Sequence, residues 1–134
     1  MIGEAKVQNL TSTINQVGGV EAGRFVVLDT TGENLAKYPA ADNPSSVIGV
    51  TNNKVENGRQ ASICVLGDIT VIAGVAIAIG DQVYAQGVTG KALTTNGAAP
   101  GTYNVKGEAL SAAQLDGDQI VVRLTPVCIP VVVS

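Results

Sequence analysis

Four turn glycines recur in register along this chain, and they constrain its fold more than any other feature. Gly23-Arg-Phe-Val-Val, Thr31-Gly32 with Leu35, Gly49, and Gly58-Arg59-Gln60 with Ile63 and Val65 form one series. They return 57 to 59 residues later as Gly80-Asp-Gln-Val-Tyr, Thr89-Gly90 with Leu93, Gly107, and Gly117-Asp118-Gln119 with Val122 and Leu124. Glycine takes positive φ or lets two backbones approach closely, so repeated glycine spacing predicts repeated hairpin geometry. Each copy, 23–66 and 80–125, reads as strand, tight turn, strand, loop, strand, and neither is long enough to close a core by itself. The pair is therefore expected to form one domain over 19–125. Evenly spaced turns in any all-β chain also align with themselves by chance. The period-2 register argues for a true duplication: Ala61, Ile63 and Val65 in one copy match Ile120, Val122 and Leu124 in the other.

Around the repeat, local signals place strands and loops. Arg24 to Asp29 is a strand, Thr30 to Asn34 a hairpin turn with Gly32 available for the left-handed position, and Leu35 to Tyr38 the return. Pro39 to Ser46 and residues 95–102 are Gly/Pro loops. Asp68 to Ile79 is β-branched and broken at Gly74, which suits strands buried on both faces or a link crossing the core. Ala109 to Leu115 is long enough for one helical turn. Residues 1–18 form an extended N-terminal arm: the spacing of Val7, Leu10, Ile14 and Val17 fits a helical face, but Thr11-Ser12-Thr13 favours extended chain. Ordering that arm alone costs more backbone entropy than its few aliphatic side chains return, so it is expected to order by strand addition on a neighbour. The tail, 126–134, is apolar, and its two prolines deny it a central place in a sheet.

Composition argues against chemistry. Charged residues make up 14% of the chain and aromatics 3%, with no His and no Trp, which leaves little to catalyse with. Asp68, Asp81, Asp116 and Asp118 all flank glycine, the ordinary place for a turn-capping carboxylate. Cys64 and Cys128 lack metal-ligand spacing and are expected as reduced thiols, Cys64 on the strand face opposite Ile63 and Val65. A net charge of −3 with scattered basic residues gives no footprint for nucleic acid or anionic membrane. No stretch is long enough for a spanning helix, and the N-terminus lacks the pattern of a secretory signal, so synthesis in the cytoplasm is expected. No cofactor, metal or small-molecule substrate is indicated. A mean hydropathy of +0.30 is high for so small a domain, which points to apolar surface shared with other chains.

The order of these segments resembles the small capsid cement, or decoration, proteins of tailed bacteriophages. The resemblance runs over roughly 18–125. It is carried by Val47-Ile48-Gly49-Val50, Val65-Leu66-Gly67-Asp68-Ile69, Gly80-Asp81-Gln82-Val83-Tyr84 and Gly117-Asp118-Gln119-Ile120-Val121-Val122-Arg123-Leu124. It implies an all-β fold, a small β-barrel or jelly-roll-like sandwich with a pseudo-two-fold internal repeat, and no catalytic residues. It also implies a homo-dimer or homo-trimer on the outer surface of the virion that bridges major capsid protein subunits. The apolar positions of arm and tail, Ile2, Val7, Leu10, Ile14, Val17, Val127, Ile129 and Val131, are the candidate capsid or oligomer contacts. Two other classes share parts of the pattern. Lipoyl and biotinyl carriers are flattened barrels of two similar halves, with Lys54 the one candidate for modification, although its neighbours are not those of a carrier lysine. A carbohydrate- or receptor-binding virion module is the other, disfavoured by the scarcity of aromatic stacking residues.

Overall fold

The computed structural model describes residues 7–134. It contains nine strands: β1 (Gln8–Ile14), β2 (Phe25–Asp29), β3 (Leu35–Lys37), β4 (Val47–Thr51), β5 (Gln60–Ile72), β6 (Gln82–Ala85), β7 (Ala92–Thr94), β8 (Gly101–Ala109) and β9 (Gln119–Val133). Their order in the sheet is β1-β3-β2-β4-β5-β9-β8-β6-β7, with β1 also paired to β5. That second pairing closes β1-β3-β2-β4-β5 into a five-stranded barrel, parallel only between β1 and β3. Closure leaves these strands no free edge.

The second half repeats the ring. Residues 67–72 of β5 pair with β9, β9 with β8, β8 with β6 and β6 with β7, and a parallel bridge from Ala73 to Ala92 returns to the start. Registers match over most of the two rings, the bulges at Gln8/Asn9 and at Val105/Gly107 aside. Val26 opposite Gly49 becomes Val83 opposite Gly107, and Thr51 opposite Ile63 becomes Ala109 opposite Val122. Gly23 and Gly80, at φ of 72° and 86°, donate their N–H groups to Thr51 and Ala109 at 2.9 and 2.8 Å. A side chain at Gly49 would collide with the Cys64 carbonyl and the Ile63 side chain; at Gly107 it would collide with the Arg123 carbonyl and the Val122 side chain. The same glycine is therefore demanded twice by the same crowding.

The duplication is longer than the glycines alone indicate. Thr13 opposite Gln60 returns as Ile72 opposite Gln119, Leu10 opposite Ile63 as Ile69 opposite Val122, and Asn9 opposite Cys64 as Asp68 opposite Arg123. Residues 8–14 and the second half of β5 are thus the same element, the first strand of each copy. The expected arm is extended, but over 8–14 it lies inside the first barrel. Ile14 there is 1% exposed, because the seam between β3 and β5 needs a strand to satisfy both edges. Residues 1–6, including Ile2, lie outside the described residues. Two smaller expectations are also corrected. Ala109–Leu115 is not helical: β8 ends at Ala109, and Ala113 bridges Ile77. In the first hairpin Asn34 (φ 53°), not Gly32, holds the left-handed position that Gly90 (φ 68°) holds in the second.

Six residues fill the first barrel: Ile14, Val20, Val26, Ala36, Ala61 and Ile63. Their counterparts in the second, Ala73, Ile77, Val83, Ala92, Ile120 and Val122, are buried as well, but in a larger cluster that also takes in Phe25, Val27, Val47, Val50 and Cys64. Those five come from the outer face of the first copy. They cover one end of the second barrel, and the contact is sealed by backbone bonds from Phe25 N–H to Gly90 and from Ile72 N–H to Gly23, at 2.6 and 2.9 Å.

Candidate functional site

Among the described residues no group of three His, Cys, Asp or Glu is placed to hold a metal ion. Asp81 and Asp118 cap turns, accepting from Ala78 N–H and from the N–H groups of Gln114 and Leu115. Asp68 and Asp116 do not. They pair with Arg123 at 2.9 Å and Lys91 at 2.9 Å. The Arg123 guanidinium, donating through Nε and Nη2, holds the Asp68 carboxyl below the usual carboxylate range. Both cysteines are free, and burial pushes the Cys64 thiol up. Lys54 is exposed and faces Glu21 across 3.8 Å.

Three surfaces stand out. The first is the end of the first barrel, where Leu10 (β1), Leu28 (β2), Ile48 (β4) and Val65 (β5) line a groove of about 460 Å³, flanked by Pro126, Val127 and Cys128. Leu10 is 37% and Leu28 46% exposed, a costly place for leucines in water.

The second is the ribbon formed by residues 101–105 of β8 and 129–133 of β9. It is created by a bulge: opposite Lys106, β9 spends four residues, 125–128, where β8 spends one. Lys106 holds the bulge, its Nζ donating to the Pro126 carbonyl at 3.1 Å while its own carbonyl accepts from Thr125 Oγ1. Burial pushes its pKa down. Both long edges of the ribbon are guarded. Asn43 Nδ2 donates to the Thr102 carbonyl and Asn43 Oδ1 accepts from Asn104 N–H, which occupies the β8 edge. With Asn104 N–H turned outward, its partner Pro130 also faces its nitrogen outward, so the β9 edge lacks a donor midway along it. Such edges discourage strand addition. The faces remain available: Ile129 is 46% and Val132 73% exposed, and Val127 in the bulge beside them is 67% exposed.

The third surface is the outer face of the second copy. A groove of about 250 Å³ runs there between Gln82, Val105, Glu108, Arg123 and Ile129.

The structure separates the predicted contact residues. Leu10 and Val127, from opposite ends of the sequence, meet in the barrel-end groove. Val7 is 53% and Val17 92% exposed, Ile129 lies on the ribbon, and Val131 beside it is half-buried opposite Tyr103. Ile14 is a correction: it fills the first barrel and is out of reach of any partner. Sequence reasoning missed Leu28, Ile48, Val65 and Val132. Leu28 had a readable signal, being the last apolar residue before a turn, where a barrel wall runs out of neighbours.

No curated protein matches the chain in sequence. Among solved structures, the crystal structure of the N base of head fiber gp8.5 in bacteriophage phi29 superposes with a TM-score of 0.63 at 24% identity, covering 92% of this chain and 98% of that one. That likeness establishes the fold. The family model for phage cement protein matches residues 5–124, nearly all of both copies. The chain thus belongs to the phage cement protein family.

Proposed function

We propose that this protein is a non-enzymatic stabiliser that binds the outer surface of a phage capsid and bridges neighbouring major capsid protein subunits. It is made in the host cytoplasm and acts as a homo-oligomer. The observation that carries this reading is the edge-guarded ribbon, which presents Ile129 and Val132 to solvent, with Val127 in the bulge beside them, on a frame tied to the barrel by Lys106 and Asn43. A short two-stranded ribbon with apolar faces is marginal on its own in water, so a partner surface is its natural complement. Family membership supplies the class of partner. Binding only the assembled shell shifts the balance away from rupture by mass action, and many copies per particle multiply the effect. An interface of about 800 Å² on each side is enough when a few anchors are well buried.

The test is co-sedimentation with heads lacking the protein, followed by heat or osmotic challenge of the loaded particles. Wild-type protein should bind and delay rupture. Val132→Asp, at a 73% exposed position, should leave the fold intact and lower head affinity by about tenfold or more. Unchanged binding by this variant, or loaded heads that rupture as readily as bare ones, would overturn the assignment.

A further inference from the structure

The chain has only three tyrosines and one phenylalanine, yet the fold brings two of the tyrosines together. Tyr84 (β6) and Tyr103 (β8) meet with ring centroids 4.8 Å apart and planes tilted by 44°. With Val75, Leu93, Thr94 and Asn96 they line a pocket of about 400 Å³ beside the loop that joins β7 to β8. That loop is held by Tyr103, whose hydroxyl donates to the Ala99 carbonyl at 2.7 Å, and by Asn96 N–H, which donates to Thr94 Oγ1 at 3.0 Å. Two polar groups are left over. The Tyr84 hydroxyl has no partner among the described residues; Arg24 Nε is the one side-chain polar atom there both sealed from water and unpaired, so the Tyr84 hydroxyl reaches solvent. Asn96 Oδ1 is free as well, its amide nitrogen turned toward Asp81 at 3.4 Å. The pocket is private to the second copy. By register the counterpart of Tyr84 is Val27, opposite Lys37 as Tyr84 is opposite Leu93, and Val27 is buried against the second barrel.

We infer that this pocket binds a neutral saccharide, with one pyranose ring packed on the tyrosine pair and its hydroxyls paired to Tyr84 and Asn96. The lining selects that class. No charged side chain lines the pocket, so a phosphate, carboxylate or ammonium ligand would lose hydration without finding a partner. A wholly apolar ligand would strip water from the Tyr84 hydroxyl and Asn96 Oδ1 and pair neither. A sugar ring meets both demands, because it has an apolar face for aromatic contact and a rim of hydroxyls that donate and accept. The pocket runs into a second groove of about 490 Å³, which shares Ala76, Thr94 and Asn96 with it and extends to Gln114, so there is room for more than one unit of a chain. Tyr103 shares a face of the ribbon with Val131, whereas Val132 lies on the opposite face. A protein seated on a shell through Val132 therefore keeps the pocket clear of that contact, and many copies per particle would sum weak sites by multivalency. That last step alone rests on the capsid reading; saccharide binding is a property of the free chain.

Titration of the purified full chain with maltohexaose, cellohexaose and chitohexaose tests it without capsids. The chain has no Trp, so its emission comes from three tyrosines, two of them in the pocket, and fluorescence reads the site directly with calorimetry as the check. At least one of these neutral hexaoses should bind with a dissociation constant of about 1 mM or tighter. A galacturonate hexamer, which is anionic, should bind more weakly. Tyr103→Ala should lower affinity by about tenfold or more, since it removes half of the stacking pair. It also frees the loop from its tie to Ala99, so two variants that leave the frame in place carry the assignment. Tyr84→Phe and Asn96→Ala should each remain folded by circular dichroism and lower affinity by about threefold to tenfold. No response to any of the three neutral hexaoses at about 10 mM, tighter binding of the galacturonate hexamer, or titrations unchanged in Tyr84→Phe and Asn96→Ala would each overturn the inference. So would loss of head binding by Asn96→Ala in the absence of any saccharide response, which would make the pocket part of the shell contact.

Discussion

The two copies share a backbone and differ in what their outer faces touch. On β2, β4 and β5 the first copy turns Phe25, Val50 and Cys64 outward, each 0% exposed because the second copy lies against them. The same strand positions in the second copy are Gln82, Glu108 and Arg123, all exposed. After duplication, backbone demands were kept wherever the chain crowds itself, as at Gly49 and Gly107, while each side chain came to match the neighbour it met. Backbone equivalence and surface divergence are separate claims, and different substitutions break them.

The largest effect is expected from removing residues 1–14. If β1 is the counterpart of the second half of β5, its loss unzips β3 from β5, uncovers Ile63 and leaves a five-stranded ring open. Cooperative thermal unfolding should disappear, as read by circular dichroism and calorimetry. A truncated chain that still melts cooperatively near the wild-type temperature would show that β1 is only an appendage.

Gly49→Val and Gly107→Val come next. Each forces a side chain into a carbonyl of the adjacent strand, Cys64 in one copy and Arg123 in the other, so each should cost about 3 kcal/mol in urea unfolding. Equal costs would support equivalence. A large cost at one site and none at the other would break it. Phe25→Ala and Gln82→Ala should show the reverse pattern. Truncating Phe25 empties a buried site and should cost about 3 to 5 kcal/mol. The change at exposed Gln82 should stay within about 0.5 kcal/mol.

The contrast between copies also explains what could be read from the sequence. Gly23 and Gly80, Gly49 and Gly107, and Gly58 and Gly117 were legible because positive φ or lack of space admits almost no substitute. The Gly32–Gly90 match was out by two residues, since Asn34 also tolerates the left-handed region and hid the true equivalence. The β1 repeat was harder to see. Asn9-Leu10-Thr11 and Asp68-Ile69-Thr70 are similar in kind, but Ser12 and Thr13 stand where Val71 and Ile72 do, so one segment looked like a polar arm and the other like a core strand. The exposed apolar surfaces were legible as excess hydropathy and, in part, as the individual residues Leu10, Val127 and Ile129. Which aliphatic residues carry it depends on where a barrel stops, and that is decided by strand pairings far apart in sequence.

Lys106 sharpens the comparison on β8, where its ammonium is held by the bulge. Its counterpart is Ile48, so Lys106→Met replaces a buried ammonium held by one carbonyl with an apolar side chain of similar length. The monomer should gain about 1 kcal/mol or more. The pH profile carries the sign. The folded-state pKa lies below the ordinary 10.5, so the unfolded chain binds more protons between the two values, and wild-type stability should rise with pH through that interval. Taking wild type minus Lys106→Met cancels the alkaline titration of other groups. A flat difference would mean that Lys106 reaches water.

The smallest effect tests a device that only the first copy has. The Asp29 carboxylate accepts from Thr31 N–H at 3.0 Å, Thr31 Oγ1 at 2.7 Å and Asn15 Nδ2 at 2.7 Å, joining the end of β2 to the chain just past β1. In the second copy the two ends of that tie are Gln86 and Gly74, which hold no carboxylate. The hydrogen bonds from Thr31 and then from Asn15 hold Asp29 below its ordinary value of 3.8. A lowered folded-state pKa contributes stability that is fully present above the unfolded value and is lost as pH falls through the folded one. Acid should therefore loosen the junction of β1 and β2 in the first copy, whereas in the second it acts on the Asp68–Arg123 pair between β5 and β9 and leaves β6 and β7 without a carboxylate tie of this kind. Hydrogen exchange at pH below 3.8 should show β1 and β2 opening before β6 and β7, and Asp29→Asn should erase that order while changing little at neutral pH. Simultaneous acid opening of both halves in the wild type would show that the tie does not distinguish them.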